Sequence, residues 1–350
     1  MFARRQERRT TDVSPVRWLA RLTAAAAVAA GVAGAGLGAA QSAAEVERHI
    51  AAAKVAAGAD HGGLFDRICT EARAVAAPPA ARGGRGVAGG RGRQGGPPAP
   101  PARETWLAQP ARVFDNLSYV GMTEFSAWAV TTSEGIILID AVFDYSVEDA
   151  VVGGLKTLGL DPSQIKYVVI SHGHLDHAGG ARYLQERFGA RLVMSEADYD
   201  LIDRQNPSWK PKRDIVATDG YALTLGDTTL TLYLTPGHTE GTLSTLVPVR
   251  DGSRTHLAAA WGGTAFNFGP NRERLQMYVD SAARFSDIVQ KAGADVLIAN
   301  HTNFDGTKTK LPLLAARRAG DPHPYVIGTD AVQRYVTVAH ECALAALAGL

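Results

Sequence analysis

The stretch Ser171-His172-Gly173-His174-Leu175-Asp176-His177-Ala178-Gly179-Gly180 constrains this chain more than any other, because three imidazoles and a carboxylate fall within six positions directly after the apolar run Tyr167-Val168-Val169-Ile170. That density of ligand-type side chains at the end of a buried strand predicts a metal-binding loop. On an extended or looped backbone alternate side chains face the same way, so His172, His174 and Asp176 are expected to converge while His177 points to a second centre. Imidazole and carboxylate suit zinc at catalytic sites, where three protein groups leave a position open for water. One cluster cannot supply two such sites. His238, in Leu234-Thr235-Pro236-Gly237-His238-Thr239-Glu240-Gly241, and His301, in Ile298-Ala299-Asn300-His301-Thr302, each follow an apolar run and can complete the sets. The remaining five of the ten histidines, His49, His61, His256, His323 and His340, read as surface or hydrogen-bonded residues.

The chain after Trp106 has the texture of an α/β domain. Strands are expected at 116–120, 127–132 and 136–140, the last two joined by a turn, and then at 167–170, 191–194, 229–234, 242–249, 255–260 and 295–299. Helices are expected over 147–158, with a Gly153-Gly154 weakness, and over 179–188, 196–203 and 271–292, the last through Leu275, Tyr278, Val279, Ala282, Phe285, Ile288 and Val289. The His cluster therefore lies on a strand-to-helix loop, and His238 and His301 lie on loops after strands.

The first third differs. Arg4, Arg5, Arg8, Arg9, Arg17 and Arg21 precede an uncharged, Ala/Gly/Val-rich run from Leu22 to Ala40, which reads over 1–42 as a signal peptide, Sec or twin-arginine, with an uncleaved anchor as the rival. Residues 43–75 read as a short helical segment with little core, and 76–103 as a Pro/Gly/Arg-rich linker. The folded domain is expected over 104–350. The Arg-Gly spacing of the linker lacks interleaved aromatics, so it is read as a tether and not as a nucleic-acid-binding tail. A net charge of +1 gives no global drive toward nucleic acid or acidic membrane. Export would place the chain in the periplasm or outside the cell, where Cys69 and Cys342 could pair or remain two buried thiols.

The ordered set HxHxDH, TPGHTxG and a last His after a strand resembles the metallo-β-lactamase superfamily over about Trp106 to His301, and Gly135-Ile136-Ile137-Leu138-Ile139-Asp140 is similar to that family's early strand. The resemblance implies a four-layer αβ/βα sandwich with two mixed β-sheets and metals at one end. Many hydrolases of the superfamily place a bridging Asp between the fourth and fifth histidines, where this chain reads His256-Leu257-Ala258-Ala259-Ala260-Trp261-Gly262-Gly263-Thr264, without an acid. That leaves His172, His174 and His238 for one zinc and Asp176, His177 and His301 for the other, a set similar to the third subclass of zinc β-lactamases. The Cys ligand of the first and second subclasses is absent, as is the Ser pair that holds the drug carboxylate in the third; Thr264 and Asn267 stand nearby as substitutes.

What the resemblance implies is a hydrolase with two Zn2+ ions that attacks a small-molecule substrate with a metal-bound hydroxide, a β-lactam first, and a lactone, ester or phosphodiester as the alternative. An iron-dependent oxidoreductase ranks lower, since no flavin domain accompanies the motifs, and a binding module with a dead site is argued against by the complete ligand set. Asp176 is expected to be both ligand and catalytic residue. Asp140 is the candidate carboxylate behind a metal-bound imidazole, a turn cap being the other reading.

Overall fold

The computed structural model describes residues 41–77 and 99–350. The signal or anchor reading, up to residue 40, and the linker reading over 78–98 lie outside the described residues. Contacts divide the chain into Met1–Glu45, of which 41–45 are described and helical, and Val46–Leu350. The second unit opens with α1 (helical over 46–57) and α2 (Gly62–Ala76).

A seven-stranded sheet follows, in spatial order β1 (Ala111–Phe114), β2 (Leu117–Tyr119), β3 (Trp128–Thr132), β4 (Gly135–Ile139), β5 (Ile165–Val169), β6 (Arg191–Met194) and β7 (Ile215–Val216). The first four strands run antiparallel to their neighbours, whereas β4 to β7 are parallel. Parallel neighbours need crossovers, and these are α3 (Gly153–Thr157), entered through a π turn at Glu148–Val152, then α4 (Leu175–Ala178) with α5 (Ala181–Phe188), then α6 (Glu196–Gln205). The second sheet has the order β12 (Val296–Ala299), β11 (Arg254–Trp261), β10 (Leu243–Asp251), β9 (Thr228–Leu234) and β8 (Tyr221–Leu225), with only β11 and β12 parallel. Three more helices complete the unit: α7 (Arg272–Ala292), α8 (Thr307–Ala316) and α9 (Thr329–Ala348).

Both faces of each sheet are covered, which explains why the strands read as continuous apolar runs and not as alternations. Ile137, Ile139, Val169 and Val193 join Leu230, Leu232, Val247 and Ile298 between the sheets. Their strand neighbours Ile136, Leu138, Val168 and Leu192 face outward onto Val151, Leu155, Leu184 and Ile202 of the first helical layer. On the far side Leu246, Ala259, Trp261 and Leu297 pack on α7 and α9. The result is the expected four-layer αβ/βα sandwich with two mixed sheets.

The segment expected to hold little core is a correction. Leu64, Ile68 and Ala72 recur every fourth residue along α2 and are fully buried in one cluster with Leu275 and Phe285 of α7 and Val332, Tyr335 and Ala339 of α9. Burying a Leu or Ile completely is worth about 1.5–3 kcal/mol, and Cys69 adds a disulfide to Cys342 of α9. The Ala spacing of α1 (Ala53, Ala56, Ala57) lets that helix join the same cluster. The sequence offered small residues there, and the buried surface comes from a helix pairing across 273 positions. No helix among the described residues is long and apolar enough to cross a membrane.

Candidate metal centre

All the ligand loops meet at one end of the sandwich. The β5 strand stops at Val169, the chain turns through Ser171–Gly173, and His174 begins α4 with an extended backbone. Side-chain alternation therefore ends at His174: Asp176 and His177 sit on a helical turn, and it is this turn, not alternation, that brings them together. His238 lies on the loop between β9 and β10, and His301 follows β12.

His172 Nε2 and His238 Nε2 are 3.1 Å apart, as are His238 Nε2 and His174 Nδ1. On the other side His177 Nε2 lies 3.2 Å from His301 Nε2 and 3.2 Å from Asp176 Oδ2, which is 3.6 Å from His301 Nε2. The protonation of these rings follows from their far sides. His172 Nδ1 donates to Gly262 O at 2.8 Å, His238 Nδ1 to Ala265 O at 2.6 Å and His177 Nδ1 to Asp140 Oδ2 at 2.9 Å. With Nδ1 carrying the hydrogen, the Nε2 atoms of neutral His172 and His238 present lone pairs to each other. Two lone pairs at that distance repel unless a cation lies among them, so the donor set fits a metal.

Burial lowers the pKa of His172 and His174 and takes that of His238 and His301 down to about 3, with neighbouring imidazoles adding to the effect. These rings are neutral and ready to ligate. For His177 burial works the same way, but Asp176 and Asp140 outweigh it and raise its pKa to about 10, so this half of the site favours positive charge. Asp176 is itself desolvated, yet His177 and His301 hold its carboxyl far below the usual range.

A model of the metallo-beta-lactamase superfamily matches residues 126–251. Among solved structures, the subclass B3 metallo-beta-lactamase of Bradyrhizobium japonicum superimposes with a TM-score of 0.59 at 26% identity, covering 67% of this chain and 92% of that one. A motif mutant of a Cronobacter sakazakii metallo-beta-lactamase does so at 0.57 and 30% identity, over 65% and 92%. The chain belongs to the metallo-β-lactamase superfamily. Within it, a hydroxyacylglutathione hydrolase of Acidiphilium cryptum is 30% identical over 131 residues, 37% of this chain and 46% of that protein. An N-acyl homoserine lactonase of Agrobacterium fabrum is 36% identical over 111 residues, 27% and 41%. The chain spans less than half the length of these curated relatives.

Against this superfamily background the end of β11 is informative. Gly262 and Gly263 stand where a side chain has no room: a Cβ on Gly262 would come within 1.9 Å of Leu243 O, and one on Gly263 within 2.5 Å of His238 Cβ. The close approach lets Gly262 O receive both His172 Nδ1 and Asn300 Nδ2, the latter at 2.9 Å. Gly262 O thus orients the His172 ring from the edge opposite its Nε2, and the end of β11 carries no acid. The Gly-Gly pair was the sequence signal for this close approach.

Asp140 sits just past β4 at a φ of 63°. Its Oδ1 accepts from Ser171 N at 2.8 Å, and its Oδ2 from Ser171 Oγ and His177 Nδ1, each at 2.9 Å. The carboxylate therefore stands behind the His177 ring and also pins the end of β5. Thr264 and Asn267 both line the cavity over the histidines, a space of about 510 Å3 shared with Arg67, Phe125, Asp176 and Asn300 among others. Thr264 is buried, and its main-chain carbonyl accepts from Tyr278 Oη of α7 at 2.9 Å, which fixes this part of the cavity lining.

Three residues that position the site escaped sequence reading. Asp198 Oδ2 accepts from Gly173 N at 3.1 Å and Thr239 Oγ1 at 2.8 Å, strapping the His172–His174 loop to the His238 loop. Burial raises its pKa to about 6. The Ser195-x-x-Asp198 spacing resembles a helix capping box; Ser195 Oγ does cap α6, but the Asp carboxylate reaches across to the neighbouring loop. Arg274 of α7 donates to Gly237 O at 3.0 Å and His238 O at 2.7 Å. Arg67 reaches the cavity from α2, and its local signal is only the i,i+4 pair with Glu71.

Proposed function

We propose that this chain is a zinc hydrolase binding two Zn2+ ions, one at His172, His174 and His238 and the other at Asp176, His177 and His301, and that its preferred reaction is opening the cyclic amide of a β-lactam. The observation that carries the reading is that two donor clusters, His172 with His174 and His238, and Asp176 with His177 and His301, lie side by side while the end of β11, Ala260-Trp261-Gly262-Gly263-Thr264, carries no carboxylate to bridge them. The extensive structural likeness to subclass B3 metallo-beta-lactamases supports it.

Zinc in such a site supplies a Lewis acid that polarises a carbonyl and lowers the pKa of bound water to about 7. The chain's own groups do the rest. Asp176, one-quarter exposed and held ionised by His177 and His301, would serve as ligand to the second ion and as an acceptor that orients the attacking water. Phe125, 5.0 Å from the His301 ring, and Phe304, at 5.3 Å, wall off that side of the cavity from water. The Asn267 amide is the neutral hydrogen-bonding group of the loop after β11 that faces the substrate. A cavity of this size accommodates a drug-sized molecule.

A second reading, hydrolysis of a lactone or other ester, is favoured by the curated relatives named as N-acyl homoserine lactonase and hydroxyacylglutathione hydrolase. Zinc-reconstituted full-length protein assayed on nitrocefin, an acyl homoserine lactone and bis(p-nitrophenyl) phosphate decides between them, with metal content measured in parallel. Two zinc ions per chain and rapid nitrocefin turnover are expected. Lactone turnover with penicillins, cephalosporins and carbapenems left intact moves the function to the second reading; stoichiometric iron sinks the zinc assignment. The Cys69–Cys342 disulfide supports a periplasmic or secreted location, because such bonds persist in oxidising compartments.

A further inference from the structure

We infer that Arg67 on α2 is the residue that recognises an anionic group on the substrate; the inference rests on the hydrolase reading above and names its substrate class more narrowly. Among the described residues lining the cavity over the histidines, Arg67 is the one Lys or Arg. The other charged groups there are Asp176, committed to His177 and His301, and Glu124, which pairs with Lys308. On the side of the cavity lined by Phe125, His301 and Phe304 a carboxylate therefore meets one side-chain cation, Arg67, whereas Arg204 and Arg274 line the adjoining space beyond His174 and His238.

The guanidinium is preset. Its Nε forms an ion pair with Glu71 Oε1 at 2.7 Å, one helical turn on, and Glu71 Oε2 accepts from Phe266 N at 2.8 Å. Glu71 thus ties Arg67 to the loop that carries Asn267. The two terminal guanidinium nitrogens have no partner among the described residues, and the side chain is 58% exposed. A planar fork with free parallel N–H groups is the geometry that binds carboxylate through two hydrogen bonds.

The helix under it is also fixed. Leu64, Ile68 and Ala72 bury one stripe of α2, and Arg67, on the adjacent stripe with Glu71 four positions on, lines the cavity. Cys69, two positions beyond Arg67, is bonded to Cys342 of α9. Helix α2 therefore holds over the cavity one cation that sets a preference for anionic over neutral molecules of the same reactive type.

The test uses binding, so that it does not depend on which bond the enzyme breaks. Thiolates ligate zinc; ω-mercaptoalkanoic acids of two to six carbons and their methyl esters, titrated calorimetrically into zinc-loaded full-length protein, present the same thiol with and without a carboxylate at graded reach. Wild type should bind the acid about tenfold or more tightly than the ester at one or two chain lengths. Arg67→Gln should bring the pair to within about twofold, with zinc content and ester affinity unchanged, and Arg67→Lys should restore only part of the preference. An Arg67→Gln protein that keeps the acid preference, or a wild type that shows none at any length, overturns the inference while leaving the hydrolase reading intact. Protein that retains no zinc and binds neither series overturns both.

Discussion

His172 and His238 hand their Nδ1 hydrogens to main-chain carbonyls, Gly262 and Ala265, whereas His177 hands its own to the carboxylate of Asp140. The two halves of the candidate centre are otherwise alike in depth and in ligand number. One half is assembled from neutral imidazoles oriented by peptide dipoles and contributes no net charge. The other gathers Asp176 and Asp140 around His177 and carries negative charge. Geometry is thus set by backbone on one side and by ion pairing on the other, and substitutions of charge should separate the two.

The largest effect is expected from Asp176→Asn, which removes a ligand and a charge from the second half only. Metal content should fall from two ions per chain to about one, and turnover by on the order of a hundred- to a thousandfold, as read by elemental analysis and steady-state kinetics on the same sample. Loss of both metals would show that the neutral half does not stand alone.

Next is Asp140→Asn, which keeps the shape behind His177 and removes the charge. Affinity for the second metal should drop about ten- to a hundredfold while the first is unaffected; stepwise zinc titration against a chromophoric chelator resolves the two. Equal weakening of both metals would mean that the role of Asp140 in pinning Ser171 outweighs its role at His177.

The smallest concerns a third carboxylate beneath the charged half. Asp305 is buried at the foot of the His301 loop, accepting from Ala299 N and Thr307 N at 2.9 Å each. Burial raises its pKa to about 6 from an ordinary 3.8. The native state therefore holds this proton more tightly than the unfolded chain, so its contribution to stability is full below pH 3.8 and is lost as pH rises to about 6. Asp305→Asn should flatten that segment of the urea-midpoint profile relative to wild type. Parallel profiles for the two proteins would place the ionisation elsewhere.

How far the sequence was legible divides along contact distance. The His172–His177 ligands are neighbours in the chain, and the two other histidines stand in turn motifs after strands, so residue type and order were enough. The sheets were legible for the same reason, since Tyr167 to Ile170 and Gly135 to Ile139 are apolar runs bounded by turns. Short edge strands such as β1 and β8 were not read, because alternation over four or five partly exposed residues is weak. Asp198, Arg274 and Arg67 act on loops far from them in sequence; local chemistry explains the helix cap beside Asp198 and the i,i+4 pair of Arg67 equally well, and Arg274 carries no local signal. The pairing of Cys69 with Cys342 was left open, since two thiols give no sequence information about their distance in space.

The union of α2 with α9 also has a temporal side. At about 5–20 residues per second of synthesis, the 273 positions between Cys69 and Cys342 put on the order of tens of seconds between the appearance of one helix and its partner. Throughout that interval the Leu64–Ile68–Ala72 stripe has no α9 to cover it and the Cys69 thiol has no intramolecular mate. With two cysteines in the chain, every wrong bond joins it to another copy. Crowded nascent chains would then trade α2 helices, so the feature that rigidifies the finished helix pair also defines a route to cross-linked dimers.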